Sequence, residues 1–162
     1  MRGSLPSGAA GATLKRAHPV AKRIWIAYFS LMTLRSILIH PDPRLKKVCE
    51  PVSAVTPEIG ALAEDMLQTM YDAPGIGLAA PQVGVLQRLF VMDDDVAARP
   101  MVLINPEITW TSEETNTYEE GCLSIPDQYA EVTRPKTVRM AWLGLDGKSH
   151  EDEFDALWAT CA

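Results

Sequence analysis

Between Thr56 and Pro74 the chain carries a pattern that fits one backbone conformation. Ile59, Leu62, Ala63, Met66, Leu67 and Met70 recur at spacings of three and four, which lines them up on one stripe of an α-helix. Thr56 stands at the cap position, Pro57 takes the first helical position, and Glu58 sets a negative charge against the positive end of the helix dipole. Pro74 cannot continue the helix, so it stops earlier and delivers the chain into Gly75-Ile76-Gly77. A long helix with one apolar face needs a sheet or another helix to cover it.

The remaining apolar runs read as strands. Residues 89–92 and 101–104 are strand-like, with 108–111 continuing the second, and Asp93-Asp94-Asp95 between them reads as a solvated turn. Residues 136–145 and 148–154 flank Asp146-Gly147, a pair suited to a two-residue primed hairpin turn. Ile37-Leu38-Ile39 is a short strand candidate before the stiff turn His40-Pro41-Asp42-Pro43, where His40 reads as capping or packing rather than binding metal. Asp155 is placed to cap a helix through Cys161. The fold class is therefore α+β, with small antiparallel sheets packed around one long helix.

At 162 residues and 47% hydrophobic content the chain is long enough for one domain with its own core. The net charge of -6 is uneven: residues 1–31 hold five basic residues and no acid, and the remainder holds ten basic and twenty-one acidic. An acidic body argues against direct nucleic-acid binding, which needs Lys and Arg clustered on one face, while a ribosome-bound partner stays open. Residues 1–31 read as a disordered basic extension or a mis-assigned start ahead of Met32, with an organelle transit peptide as the second reading and a membrane-surface anchor as the third. Residues 32–162 read as the domain. The longest apolar run, residues 24–34, falls short of the roughly 20 residues a membrane span needs. Cys49, Cys122 and Cys161 are odd in number and widely spaced, which fits a reducing cytosol or organelle matrix.

Two stretches look built for a site. Gly75 to Ala80 satisfies the G-x-G-x-x-G/A spacing of a dinucleotide loop, but the helix precedes the glycines instead of following them, which leaves a nucleotide-binding module the least favoured function class. What two glycines do permit is close approach of backbone to an extended ligand. Gln82 carries an amide able to donate to a developing oxyanion, although a glutamine alone is more often a surface loop residue. Cys122, by itself a small hydrophobe, sits between Gly121 and Leu123-Ser124 in a turn-like break that can point a thiolate into a cleft.

Gly75 to Gln82 resembles the first motif of peptide deformylases, and Glu120-Gly121-Cys122-Leu123-Ser124 resembles their second, in the same order and at a similar separation. The resemblance runs from about Met32 to Ala162 and takes in the long helix, the Asn105-Pro106 step and the Asp-Gly hairpin. It implies a metallohydrolase that removes the formyl group from the N-terminal formylmethionine of nascent polypeptides. It implies Cys122 as a metal ligand, for Fe(II) or another divalent metal such as Zn, Ni or Co, all of which suit one soft thiolate with imidazoles. Gln82 and the backbone amide of Leu123 are implied donors to the formyl oxygen. Gly75, Ile76 and Gly77 are implied to pair with the peptide and to help form the methionine pocket, with Glu120 and Gly121 on the substrate side and Glu120 in an ion pair with Arg134. Tyr129 stands where many family members have a basic residue.

The family's third motif, His-Glu-x-x-His on a helix, supplies two imidazoles and the base. It has no match here: His150-Glu151 begins alike, reaches Phe154 at the fifth position, and lies on the expected hairpin. The expectation is a C-terminally truncated relative with its final helix missing, inactive as it stands and holding metal weakly or not at all. The alternative is a truncated non-catalytic paralogue that binds peptide or another protein.

Overall fold

The apolar stripe forms α1 (Pro57–Asp72), whose inner face buries Ile59, Leu62, Ala63, Met66 and Met70. In this computed structural model residues 33–93 and 99–162 are described; the expectations for residues 1–31, and for Asp94 and Asp95, lie outside them. Pro57 starts α1 as expected, but the Thr56 side chain makes no cap bond to the helix backbone. Its hydrogen bond goes to the Glu58 carboxylate instead and lowers that group's pKa.

α1 packs on β1 (Gly77–Ala79) and β2 (Leu89–Met92), two strands of a five-stranded antiparallel sheet. Its other members are β3 (Met101–Thr111), β6 (Thr137–Leu143) and β7 (Ser149–Asp155), in the order β1-β2-β3-β6-β7. Side chains alternate across the pleat: Leu89, Val91 and Ile104 join α1, whereas Met92, Leu103 and Met140 join Phe154 and Ala159 on the other face. That second face is covered in part by the short helix α2 (Ala156–Cys161). Burial on both sides is why residues 89–92 are apolar throughout.

The second sheet is a two-stranded hairpin, β4 (Thr115–Cys122) and β5 (Ile125–Pro135), mostly exposed to solvent. Cys122 pairs with Ile125, so Leu123 and Ser124 form the turn, and the stretch expected to be a loop is a strand, a turn and a second strand. Three further expectations change. Ile37-Leu38-Ile39 belongs to no strand. It crosses between loops, with the Leu38 N–H donating to the Gln82 carbonyl at 2.7 Å and the His40 N–H to the Ser124 carbonyl at 2.8 Å. The β6–β7 turn runs over five residues, 144–148, and only Gly147 adopts positive φ (74°), so it is not a two-residue primed turn. Asp93 is not solvated: it is 5% exposed, and its carboxylate accepts from the Tyr71 hydroxyl at 2.7 Å and the Arg99 N–H at 3.1 Å.

β3 carries an irregularity after Ile104, where Asn105 has φ 52°. The Asn105 side chain there replaces a strand partner for Val52, accepting from its N–H and donating to its carbonyl, both at 2.8 Å. Alanine keeps neither bond and tolerates positive φ poorly. Asn105→Ala is expected to lower unfolding free energy by about 2 kcal/mol, read from the urea midpoint at unchanged slope.

Candidate functional site

The first half of the site begins where α1 ends. The Gly75 N–H closes on the Met70 carbonyl at 2.9 Å, and the chain enters β1, the edge strand of the main sheet. Gly77 pairs with Met92, and the Asp93 N–H donates to the Ile76 carbonyl at 3.0 Å. That register makes Leu78 and Val91 the mutually bonded pair and turns the N–H and C=O of Gly77 away from β2, onto the open edge. The Ala79 N–H on the same edge is taken by Gln82 Oε1 at 2.9 Å.

At two glycines of this loop a neighbouring side chain occupies the space a Cβ would take. A Cβ on Gly75 would lie 2.7 Å from Leu123 Cδ1, and one on Gly77 would lie 2.5 Å from Cys161 Sγ. Leu123 therefore packs over the glycine loop from the β4–β5 turn, and Cys161 packs under it from α2.

These contacts bring the two motifs to one cleft of about 700 Å³. Gly75, Ile76, Gly77, Gln82, Glu120, Gly121, Cys122 and Leu123 all line it, together with Tyr118, Ile125, Tyr129 and Leu157 on its outer part. Gln82 Nε2 stands 4.0 Å from Cys122 Sγ and 3.1 Å from Ser124 Oγ. Glu120 and Arg134 face each other across the hairpin as a two-pronged ion pair at 2.6 and 2.7 Å, and Glu120 holds the Arg134 pKa above its ordinary value. The pair is partly exposed, so it orients the hairpin more than it stabilises the fold. Tyr129 lies against Gly121, where a Cβ would meet its ring at 3.0 Å.

The donor set does not fit a complete metal shell. Among the described residues no group of three or more His, Cys, Asp or Glu side chains is placed to hold an ion. Cys122 is the one exposed thiol in the cleft. His150 stacks on Trp142 and bonds Asp146 at the far hairpin, and His40 is not among the lining residues. Cys161 also lines the cleft, but its thiol faces the Ile76 carbonyl at 3.5 Å and burial pushes its pKa up to about 11.

Ser124 and Asp93 are site-supporting residues that sequence reasoning passed over. Ser124 reads as one residue of a motif, and nothing local shows that it is 4% exposed or bonded to Gln82. Asp93 reads as one of three consecutive acids, and its burial depends on Tyr71, twenty-two residues away in sequence.

A family model described as Polypeptide deformylase matches residues 34–162. The peptide deformylase of Methylocella silvestris is 54% identical over 136 residues, covering 80% of this chain and 69% of that protein. That of Nitrobacter hamburgensis is 50% identical, covering 80% and 78%. Among solved structures, a Legionella pneumophila peptide deformylase superposes with a TM-score of 0.76 at 42% identity, over 80% of this chain and 76% of that one. A Synechococcus elongatus peptide deformylase in complex with actinonin gives 0.76 at 38% identity, over 81% and 75%.

Two outcomes follow from the packing. Cys161 is expected to alkylate far more slowly than Cys122 at pH 8, its rate rising about tenfold per pH unit until the pH approaches its raised pKa of about 11, followed by mass spectrometry of labelled peptides. Gly77→Ala is expected to destabilise by about 1–3 kcal/mol in thermal unfolding, with most of the loss recovered in Gly77→Ala/Cys161→Ala, because the added methyl and the sulfur occupy one space.

Proposed function

The chain belongs to the polypeptide deformylase family, and from that premise we propose that its cleft receives the formylated N-terminal methionine of a nascent polypeptide. The observation that carries this reading is the approach of Gln82 Nε2 to within 4.0 Å of Cys122 Sγ beside the open edge of β1. An extended peptide adds to that edge through the N–H and C=O of Gly77, which supplies affinity without regard to sequence. Gly75 and Ile76 flank the methionine side chain. The formyl oxygen then lies between the Gln82 amide and the Leu123 N–H, two uncharged donors that stabilise it as it gains charge. Glu120 and Gly121 border the peptide from the hairpin, and the Glu120–Arg134 pair holds that border in place.

The family is metal-dependent, and the resemblance implies Fe(II) or Zn, Ni or Co. A catalytic site of this kind takes about three protein ligands, and Cys122 supplies one. We therefore assign no step to a metal, and propose that these 162 residues hold one weakly and bind formylated peptide without turning it over. The proposed setting is the cytoplasm, where formylated chains emerge and Cys49, Cys122 and Cys161 stay as free thiols. No helix among the described residues is long and apolar enough to cross a membrane.

Titration calorimetry with an N-formylmethionyl tripeptide tests the binding claim. It is expected to bind at least about tenfold more tightly than the same peptide with a free amine, the worth of one or two well-placed hydrogen bonds. Gln82→Ala is expected to abolish the difference. Equal affinity for both peptides overturns the reading. Metal analysis and a formate assay on the same protein test the remainder, with less than one equivalent of metal and no formate expected; stoichiometric metal with turnover overturns that part.

A further inference from the structure

We propose that Ser124 is the positioning residue for the Gln82 amide: its buried hydroxyl sets the rotation of that amide and leaves one Nε2 hydrogen directed into the cleft. The inference deepens the proposed function, since the use of that hydrogen rests on the formyl oxygen being its acceptor. The geometry behind it stands without that reading.

A glutamine amide offers an oxygen that only accepts and a nitrogen with two hydrogens that only donates. The atom of Gln82 that faces the Ala79 N–H at 2.9 Å must be the oxygen, because a backbone N–H cannot accept. Nε2 is thereby placed on the other side, where one of its hydrogens reaches Ser124 Oγ at 3.1 Å. The second hydrogen points into the cleft toward Cys122 Sγ, a long and weak contact at 4.0 Å that an oxygen acceptor in the cleft can replace.

The hydroxyl can act as a fixed stop because Ser124 is itself immobilised. It is 4% exposed, it sits in the turn closed by the Cys122–Ile125 pair, and its carbonyl is held by the His40 N–H at 2.8 Å. The Gln82 backbone is held in the same way by the Leu38 N–H at 2.7 Å. With both backbones held, the amide's direction depends on the glutamine side-chain torsions, of which the terminal one is soft in the absence of a partner. Ala79 restrains one end of the amide and Ser124 the other. Without the hydroxyl, Nε2 swings about the Ala79 bond, and the formyl oxygen meets a donor for only part of the time.

The experiment compares Ser124→Ala, Gln82→Ala and the double variant, with Ser124→Thr and Ser124→Val as a pair of equal shape with and without the hydroxyl. Binding of formylated and unformylated methionyl tripeptide is one readout. The side-chain amide resonances of Gln82 in 15N-labelled protein without ligand are the other. Ser124→Ala is expected to weaken formylated peptide by roughly three- to tenfold, leave the unformylated peptide unchanged, and have no further effect once Gln82 is alanine. The two Gln82 Nε2 protons are expected to move together and exchange faster in Ser124→Ala and Ser124→Val, and to keep their separation in Ser124→Thr. Unchanged Gln82 amide signals, an additive loss in the double variant, or equal behaviour of the Thr and Val variants overturns the proposal. If the unsubstituted protein does not distinguish the two peptides, the proposed function fails alone, because the amide resonances report the Ser124–Gln82 coupling without any ligand.

Discussion

The site depends on one segment that helps fasten together two pieces of structure with no strand pairing between them. The main sheet and the β4–β5 hairpin share no strand pairing, and the hairpin is mostly solvated. Alternate backbone donors at Leu38 and His40, two residues apart, reach the carbonyls of Gln82 and Ser124. The same segment is tied down upstream on α1, where Asp65 accepts from the Thr33 N–H at 2.8 Å and pairs with the Arg35 guanidinium at 3.0 Å. Thr69 Oγ1 accepts from the Arg35 N–H at 3.0 Å. Asp65 and Thr69 are buried polar residues on an otherwise apolar helix face, and satisfying that segment accounts for them.

Glycine determines the shape of the cleft as much as any functional group does. At Gly75 and Gly77 the missing methyl is replaced by a neighbour, Leu123 on one side and Cys161 on the other. Leu123 is packed against the main core, so the turn that carries Cys122 is anchored by an apolar contact as well as by hydrogen bonds. The Ile76 carbonyl, just ahead of β1, accepts from the Asp93 N–H and is faced by the Cys161 thiol, while the N–H and C=O of Gly77 stay on the open edge.

Much of the fold is legible in local pattern. The limits of α1, the apolar strands β2 and β3, and the site of the β6–β7 reversal follow from periodicity and from Pro and Gly acting on their own backbone. The errors also share a cause. Ile37-Leu38-Ile39 has strand composition, but strands are defined by partners, and its partners are two loops. Asp93 reads in sequence as one of three consecutive acids, and its burial comes with the Tyr71 hydroxyl on α1 and the Arg99 N–H as donors. The Asp-Gly step locates the hairpin, but the turn type depends on how Leu143 and Ser149 pair around it.

Composition and motif by themselves determined that this chain is an α+β deformylase relative, and singled out Gln82 and Cys122 as the side chains to look for in a cleft. Sterics and hydrophobic periodicity act over a few residues, so one dimension is enough to read them. Only the tertiary structure decided that the glutamine amide lies beside the thiol, that a serine two residues further on holds it there, and that an acid expected in water is buried. Those outcomes depend on side chains 22 to 42 residues apart in sequence meeting each other's hydrogen-bonding needs, and no local pattern records which distant partner will do so.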